Sequence, residues 1–440
     1  MITIEDLYKL YLSHPIVSTD TRKLPEGCLF FALRGANFDG NKYAGAALEA
    51  GAAYAIIDEA DQLTDERTIL VPDALQALQL LAAHHRRALG IPVIAITGTN
   101  GKTTTKELTA AVLSQSYHLL YTEGNLNNHI GVPLTLLRLT PEHQLALIEM
   151  GASKPGDIAE LCAIAQPNYG LITNIGQAHL EGFGSLEGVR RTKGELYDSV
   201  RAREGILFYH EEDEVLRQMS LGTERISYGS SPKAYVQGVA SPSTGESLFL
   251  HFSWSCPILE MSAREVQTQL VGDYNLANAL AAIAIGLYFD VPSDKIDEAL
   301  TSYCPSNSRS QLIHSERGNQ IIADAYNANP SSMRTALSNF LAIEPALRPR
   351  IVILGDMNEL GASSHEAHQE LYQRLSSTTT PPLEIYLCGP HWREELGDQP
   401  QVYSNVEELI AHIEAHPITK SLILVKGSNS IHLGKLLPYL

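Results

Sequence analysis

Ile94-Ala95-Ile96-Thr97-Gly98-Thr99-Asn100-Gly101-Lys102-Thr103-Thr104-Thr105 is the stretch on which the fold of this 440-residue chain turns. The apolar run Val93 to Ile96 suits a buried strand, and Lys106-Glu107-Leu108 to Leu113 opens a helix. Between them lies a loop of small residues. Gly98 and Gly101 let the backbone approach a ligand closely and turn its N–H groups inward, and the helix that follows adds the positive end of its dipole. Polyphosphate fits such a cradle, with Gly98, Thr99, Asn100, Gly101 and Thr104 around it. Lys102 reaches the terminal phosphates as a point charge, and the hydroxyl of Thr103 holds Mg²⁺ beside them. The first glycine of the general pattern Gly-x-x-x-x-Gly-Lys-Ser/Thr would stand at position 96, where this chain has Ile96.

The length exceeds what one core usually fills and favours about three domains. Lys and Arg number 32 against 50 Asp and Glu, a net charge of −18, which disfavours binding to nucleic acid or an anionic membrane surface. Any anionic substrate must therefore be held locally. The five cysteines (Cys28, Cys162, Cys256, Cys304, Cys388) are scattered and form no Cys-x-x-Cys pair, which fits a reducing compartment. The acidic start Met-Ile-Thr-Ile-Glu-Asp-Leu does not read as a signal peptide. The apolar run Ala279 to Phe289 spans 11 residues and reads as a core helix, below the ~18 that suggest a membrane span. A cytoplasmic protein without membrane insertion is expected.

Along the chain, residues 1–89 read as a small α/β module. It has a helix around Glu5 to Leu12, a polar turn at Asp20-Thr21-Arg22, a helix from Ala44 to Ala53, a strand at Ala55-Ile56-Ile57 and a closing helix from Leu75 to Leu89. Residues 90–304 alternate strands and helices, as in a mostly parallel sheet covered on both faces, where ligands gather at the carboxyl ends of strands. Three such ends are rich in polar groups: Glu123 to Pro133, which includes Asn128; Glu149; and Asn174 to Ser185, which includes His179. Glu149 and His179 could complete a Mg²⁺ site begun by Thr103, although Glu149 suits a helix cap and His179 an interior position equally well. Lys193 reads as an ordinary helix lysine. Residues 205–271 read as antiparallel strands at the domain edge, and Asn275 and Asn278 as exposed amides before the alanine-rich helix. From residue 305 the strand-and-helix pattern restarts through strand ends at Asp324, Gly355-Asp356, Cys388-Gly389 and Lys426-Gly427. That predicts a second doubly wound, Rossmann-like domain over 305–440.

The loop Thr97-Gly98-Thr99-Asn100-Gly101-Lys102-Thr103 resembles that of the Mur ligase family, ATP-dependent amide ligases of peptidoglycan assembly, whose own variant also lacks the first glycine. Asp324-Ala325-Tyr326-Asn327-Ala328-Asn329-Pro330, Leu354-Gly355-Asp356-Met357-Asn358-Glu359-Leu360-Gly361 and Val425-Lys426-Gly427-Ser428 resemble the branch that adds D-alanyl-D-alanine to UDP-N-acetylmuramoyl-tripeptide. The resemblance spans all three domains. It implies that Asp20, Thr21 and Arg22 lie near the UDP end of the substrate and Asn128 near the substrate, and that Lys102 and Thr103 bind ATP phosphates and Mg²⁺. By the same resemblance Glu149 ligates that metal, His179 a second one, and Lys193 is carbamylated and helps hold it. Asn275 and Asn278 would face adenine, Arg309 and Asp324 would reach ATP from the last domain, and Asn327 and Asn329 would meet the dipeptide.

The implied chemistry activates a carboxylate as an acyl phosphate, which an amine then attacks. It calls for closure of the last domain over the other two, and a monomer is expected. Tyr274, Ser308, Ala323 and Asn429 depart from the resembling pattern. The rivals within this build are a folylpolyglutamate-synthase-like ligase and another Mur-type ligase that acts on a different cell-wall peptide. A nucleotide-dependent switch would need an Asn-Lys-x-Asp motif, and the only Asn-Lys, at Asn41-Lys42, lacks the aspartate.

Overall fold

The computed structural model describes residues 2–440 except 36, 64, 178–179, 242–247, 307–308, 344–347 and 378–382, and the side chain of Leu180. Three larger sheets and one two-stranded ribbon, Arg34–Gly35 against Phe38–Asp39, organise them. Near the amino terminus, Val17–Ser18, Leu29–Phe31, Tyr54–Ile57 and Thr68–Leu70 pair in parallel in that order. The first helix runs Ile4–Ser13, and the expected helix at Ala44 stops at Glu49, short of Ala53, where Gly51 takes a φ of 105°.

The central sheet places Leu119–Tyr121, Leu145–Glu149, Val93–Thr97, Tyr169–Ile172, Ile206–His210, Glu224–Gly229 and Val236–Ala240 side by side in parallel. Phe249–Cys256 and Met261–Val271 complete it as an antiparallel pair. The reading of 205–271 as antiparallel throughout is thus corrected: its first three strands continue the parallel sheet, and the helix Glu214–Met219 carries the chain between the first two. Alternation of polar and apolar residues marks strands with unequal faces, and it does not report their direction. The alanine-rich run is the buried helix Leu276–Tyr288, packed on one face of the sheet beside Lys102–Leu113.

In the last sheet Gln311–His314 pairs antiparallel with Gln320–Asp324. The parallel order then runs through Leu422–Lys426, Arg350–Gly355, Leu383–Cys388 and Val402–Tyr403. All four expected strand ends appear, and helices flank the sheet. Val271, at the end of the central sheet, belongs to the apolar core of this last unit, with Leu248 and Phe249 packed beside it. No helix among the described residues is long and apolar enough to cross a membrane, and all five cysteines are free thiols.

The amino-terminal and central sheets share one core through the helix Ala74–Leu89. Its buried Arg86 donates from Nε to Ala165 O, and from Nη2 to Gln166 O and Asn168 Oδ1, each at 2.9 Å. Asn168 Oδ1 also accepts the N–H of Val93 at 3.0 Å, so one guanidinium ties the linking helix to the start of the strand that feeds the glycine loop. Arg86→Leu removes the guanidinium from the carbonyls of Ala165 and Gln166 and leaves Asn168 Oδ1 with Val93 N–H alone. The expected loss of stability is about 2–4 kcal/mol, to be read from equilibrium urea unfolding followed by far-ultraviolet circular dichroism.

Candidate active site

Parallel register brings the site together. Val93–Thr97 lies between Leu145–Glu149 and Tyr169–Ile172, with Ile96 opposite Glu149 and Thr97 opposite Ile172. The glycine loop, Glu149 and the segment from Thr173 therefore leave the sheet at the same edge. Gly98 has φ 144°, and a Cβ there would meet Thr173 Oγ1 at 2.0 Å. Gly101 has φ 77°, and a Cβ would meet Asn278 Oδ1 at 2.7 Å. Neither position admits a side chain, which leaves bare backbone at the start of the helix Lys102–Leu113, where no side chain caps the N–H groups.

The loop is shaped by its neighbours. Asn100 N–H donates to Asn174 Oδ1 at 3.0 Å, and Asn100 O accepts from Asn174 Nδ2 at 2.9 Å and Thr173 Oγ1 at 2.6 Å. Gly176 N–H donates to Thr99 Oγ1 at 2.9 Å. From the last domain, Asn329 Nδ2 donates to Asn100 Oδ1 at 2.8 Å, and Asn100 Nδ2 donates to Ser331 Oγ at 2.9 Å. Through these two bonds the last domain rests directly on the loop. Lys102 donates to Gly98 O and Thr99 O, both at 2.9 Å, and burial together with the nearby Arg309 lowers its pKa against the pull of Glu149.

Glu149 is buried and caps no helix. Its Oε1 accepts from Thr103 Oγ1 at 3.1 Å and Asn127 Nδ2 at 2.8 Å, while its Oε2 is buried with no hydrogen-bond partner. An unsatisfied carboxylate oxygen beside a threonine hydroxyl is the donor chemistry a hard divalent cation takes. Among the described residues no three His, Cys, Asp or Glu groups cluster as a metal site, so phosphate oxygens and water would have to complete the shell. His179 lies outside the described residues.

Lys193 is buried, not solvated. Its ammonium stands 5.6 Å from the centre of the Phe183 ring, and desolvation, then the charge of Lys102, brings its pKa down to about 7. Asn275 and Asn278 are likewise not exposed amides. Asn275 Nδ2 donates to Val271 O at 2.9 Å, Asn278 Nδ2 to Asn275 Oδ1 at 3.0 Å, and Thr105 Oγ1 to Asn278 Oδ1 at 3.0 Å. They tie the buried helix to the phosphate-loop helix and still line the cavity.

That cavity has a volume of about 1130 Å³ and gathers Lys102, Thr103, Glu149, Arg309, Asp324 and Asn327 with the loop. Arg309 lies with its guanidinium carbon 3.7 Å from the centre of the Tyr326 ring. Asp324 is paired with the buried Lys426 at 2.6 Å, since the two stand opposite in adjacent parallel strands. Asn128 also lines the cavity, its Oδ1 accepting from Ile130 N and Gly131 N. Asp20, Thr21 and Arg22 do not: Asp20 caps its own exposed turn and holds Arg22 at 2.7 Å. Sequence reasoning gave no role to Thr173, Asn174, Ser331 or Lys426, although all four lie at strand ends or in a helix's first turn, where such partners are to be sought.

Three family models match in succession: the Mur ligase family catalytic domain over residues 15–94, the Mur ligase middle domain over 96–286, and the Mur ligase glutamate ligase domain over 308–429. A UDP-N-acetylmuramoyl-tripeptide–D-alanyl-D-alanine ligase of Escherichia coli K12 is 38% identical, covering 94% of this chain and 91% of that protein. This chain belongs to the Mur ligase family. The Mur ligase of the same name from Bacillus subtilis 168 is 33% identical, covering 96% of this chain and 92% of its own. Among solved Mur ligases, MurF from Acinetobacter baumannii superposes with a TM-score of 0.83 at 30% identity, covering 96% of this chain and 92% of that one. MurF from Thermotoga maritima in complex with ADP gives 0.84 at 25%, covering 97% of each. The L. casei FPGS, at 14% identity and a TM-score of 0.61, shares the fold alone.

Gly98→Ala is expected to lower kcat/KM for ATP by about 100-fold or more, because the added carbon displaces Thr173 and the loop with it. Gly35→Ala, where a Cβ meets nothing within 4 Å, serves as the control that leaves steady-state rates unchanged.

Proposed function

We propose that this Mur ligase joins the amine of D-alanyl-D-alanine to the terminal carboxylate of UDP-N-acetylmuramoyl-tripeptide, with cleavage of ATP to ADP and phosphate, forming the pentapeptide precursor of peptidoglycan. The observation that carries this reading is a single cavity in which Lys102, Thr103 and Glu149 of the central sheet face Arg309, Asp324 and Asn327 of the last one, in a chain whose full-length relatives bear that activity as their name. Residues 1–89 are assigned to the UDP end of the substrate, with Asp20, Thr21 and Arg22 nearby. Residues 90–304 take ATP, and residues 305–440 take the dipeptide at Asn327 and Asn329. Asn275 and Asn278 are assigned to the adenine side.

The substrate carboxylate attacks the γ-phosphorus, its bond to ADP breaks, and an acyl phosphate results. The dipeptide amine then attacks the acyl carbon, and the tetrahedral intermediate expels phosphate. Lys102 and Arg309 hold two anions together that would otherwise repel. The last domain, seated on the loop through Asn329 and Ser331, keeps water from the acyl phosphate. Thr103 and Glu149 would hold Mg²⁺, which supplies further neutralisation of the transferred phosphoryl group when bound. Because the Lys193 amine titrates near neutrality, its unprotonated form can add carbon dioxide and release a proton, giving a carbamate whose oxygens would join a second metal site with His179. The protein is proposed to be a cytoplasmic monomer, and its five free cysteines suit a reducing compartment.

Phosphate release from ATP is expected only when both the tripeptide substrate and D-alanyl-D-alanine are present, with a pentapeptide product identified by mass. Release stimulated by another amine instead would reassign the last domain. In ¹³C-bicarbonate, a carbamate resonance is expected in the native chain and should be missing from Lys193→Arg.

A further inference from the structure

Lys102, Lys154, Arg309 and Lys426 line the cavity, and they are held in different ways. Lys102 donates to two carbonyls of its own loop. Lys426 donates to Asp324 Oδ2 at 2.6 Å and to Asn327 O at 3.1 Å. Lys154 is exposed, just ahead of the helix Asp157–Ala165. Arg309 is half-buried, and what its guanidinium meets among the described residues is an aromatic ring.

The geometry of that contact is informative. The guanidinium carbon lies 3.7 Å from the centre of the Tyr326 ring. A carbon this close stands over the face, because the ring's own hydrogens keep an approach along the edge farther out. Over the face the cation meets the negative side of the ring quadrupole. The N–H donors of a guanidinium radiate from its rim, so a contact between its central carbon and a ring face leaves most of them for oxygen acceptors.

Both partners are anchored through the backbone. Asp324 ends the strand Gln320–Asp324, and Lys426, opposite it in the next strand, binds its carboxylate and the carbonyl of Asn327. Tyr326 lies between those two bonded positions. Asn327 Oδ1 accepts the N–H of Ala328 at 2.8 Å, and Asn329 caps the helix Pro330–Ala342. Ser310, next to Arg309, has φ 51° and shares a hydrogen bond with the Tyr274 hydroxyl at 2.7 Å. What remains to be fixed is the long Arg309 side chain, which has many rotamers. Its charge is felt at Lys102, so the two cations repel, and the attraction of the ring opposes that push.

We propose that Tyr326 is a positioning residue for phosphoryl transfer: the face of its ring holds the Arg309 guanidinium at the cavity wall and leaves its N–H donors to the oxygens of two anions. On the ligase reading above, on which this rests, those anions are the triphosphate and the substrate carboxylate. The ring face carries the role, and the phenol hydroxyl does not.

The test uses the full chain with Tyr326→Leu, Tyr326→Gln, Tyr326→Phe, Arg309→Ala and the double variant Tyr326→Leu/Arg309→Ala. Cleavage of radiolabelled ATP is followed with the tripeptide substrate and D-alanyl-D-alanine present, giving kcat and KM for ATP. Tyr326→Leu and Tyr326→Gln, which remove the ring, should each lower kcat about 10-fold, with KM for ATP little changed and the urea midpoint native. Tyr326→Phe should recover most of that rate. Arg309→Ala should lower kcat further, and adding Tyr326→Leu to it should cost nothing more, because the ring then has no guanidinium to hold. A native kcat in both ringless variants overturns the assignment, as does a loss confined to KM or a phenylalanine variant as slow as the leucine one. So does a leucine penalty undiminished once Arg309 is removed, or Arg309→Ala at the native rate. A native chain that cleaves no ATP under these conditions overturns the ligase reading instead.

Discussion

A loop that must offer bare backbone to a polyanion cannot be held in shape by its own side chains. Gly98 and Gly101 have none, and Thr99 and Asn100 are turned to other segments. The conformation is therefore imposed from outside, by Thr173 and Asn174 at the next strand end and by Asn329 and Ser331 from another domain. The rest of the architecture answers that need: parallel neighbours that end level with the loop, and a third domain placed to reach it.

Much of this was legible in the residues. The strand, loop and helix around Lys102 and the four strand ends of the last domain could be read because local pattern and global fold agree there. The direction of the strands between residues 206 and 240 could not, since amphipathic alternation is the same whichever way a strand runs. Nor could the burial of Lys193, Asn275 and Asn278. Asn275 donates to the carbonyl of Val271 only four residues back, but Asn278 accepts from Thr105 on a helix far off in the chain, and no local pattern reports that packing. Asn174 and Ser331 had the right placement but no distinguishing residue type.

The charge of the whole and the charge of the site have opposite signs. A chain at −18 concentrates Lys102, Arg309 and Lys426 on one cavity, with Lys193 buried close enough to feel the charge of Lys102. Burial first, and then the neighbouring charge of Lys102, lowers the proton affinity of Lys193, which brings its pKa down to about 7. The same crowding of positive charge suits the cavity to a triphosphate and a carboxylate together.

Val271, Leu248 and Phe249 leave the central sheet to sit in the core of the last domain. Hydrogen bonds have preferred directions and break when their partners turn, whereas apolar contact is indifferent to angle as long as the surfaces stay together. A joint made this way behaves like a greased bearing. The seam therefore constrains the angle between the two domains less than the directional bonds from Asn329 and Ser331 to the loop do.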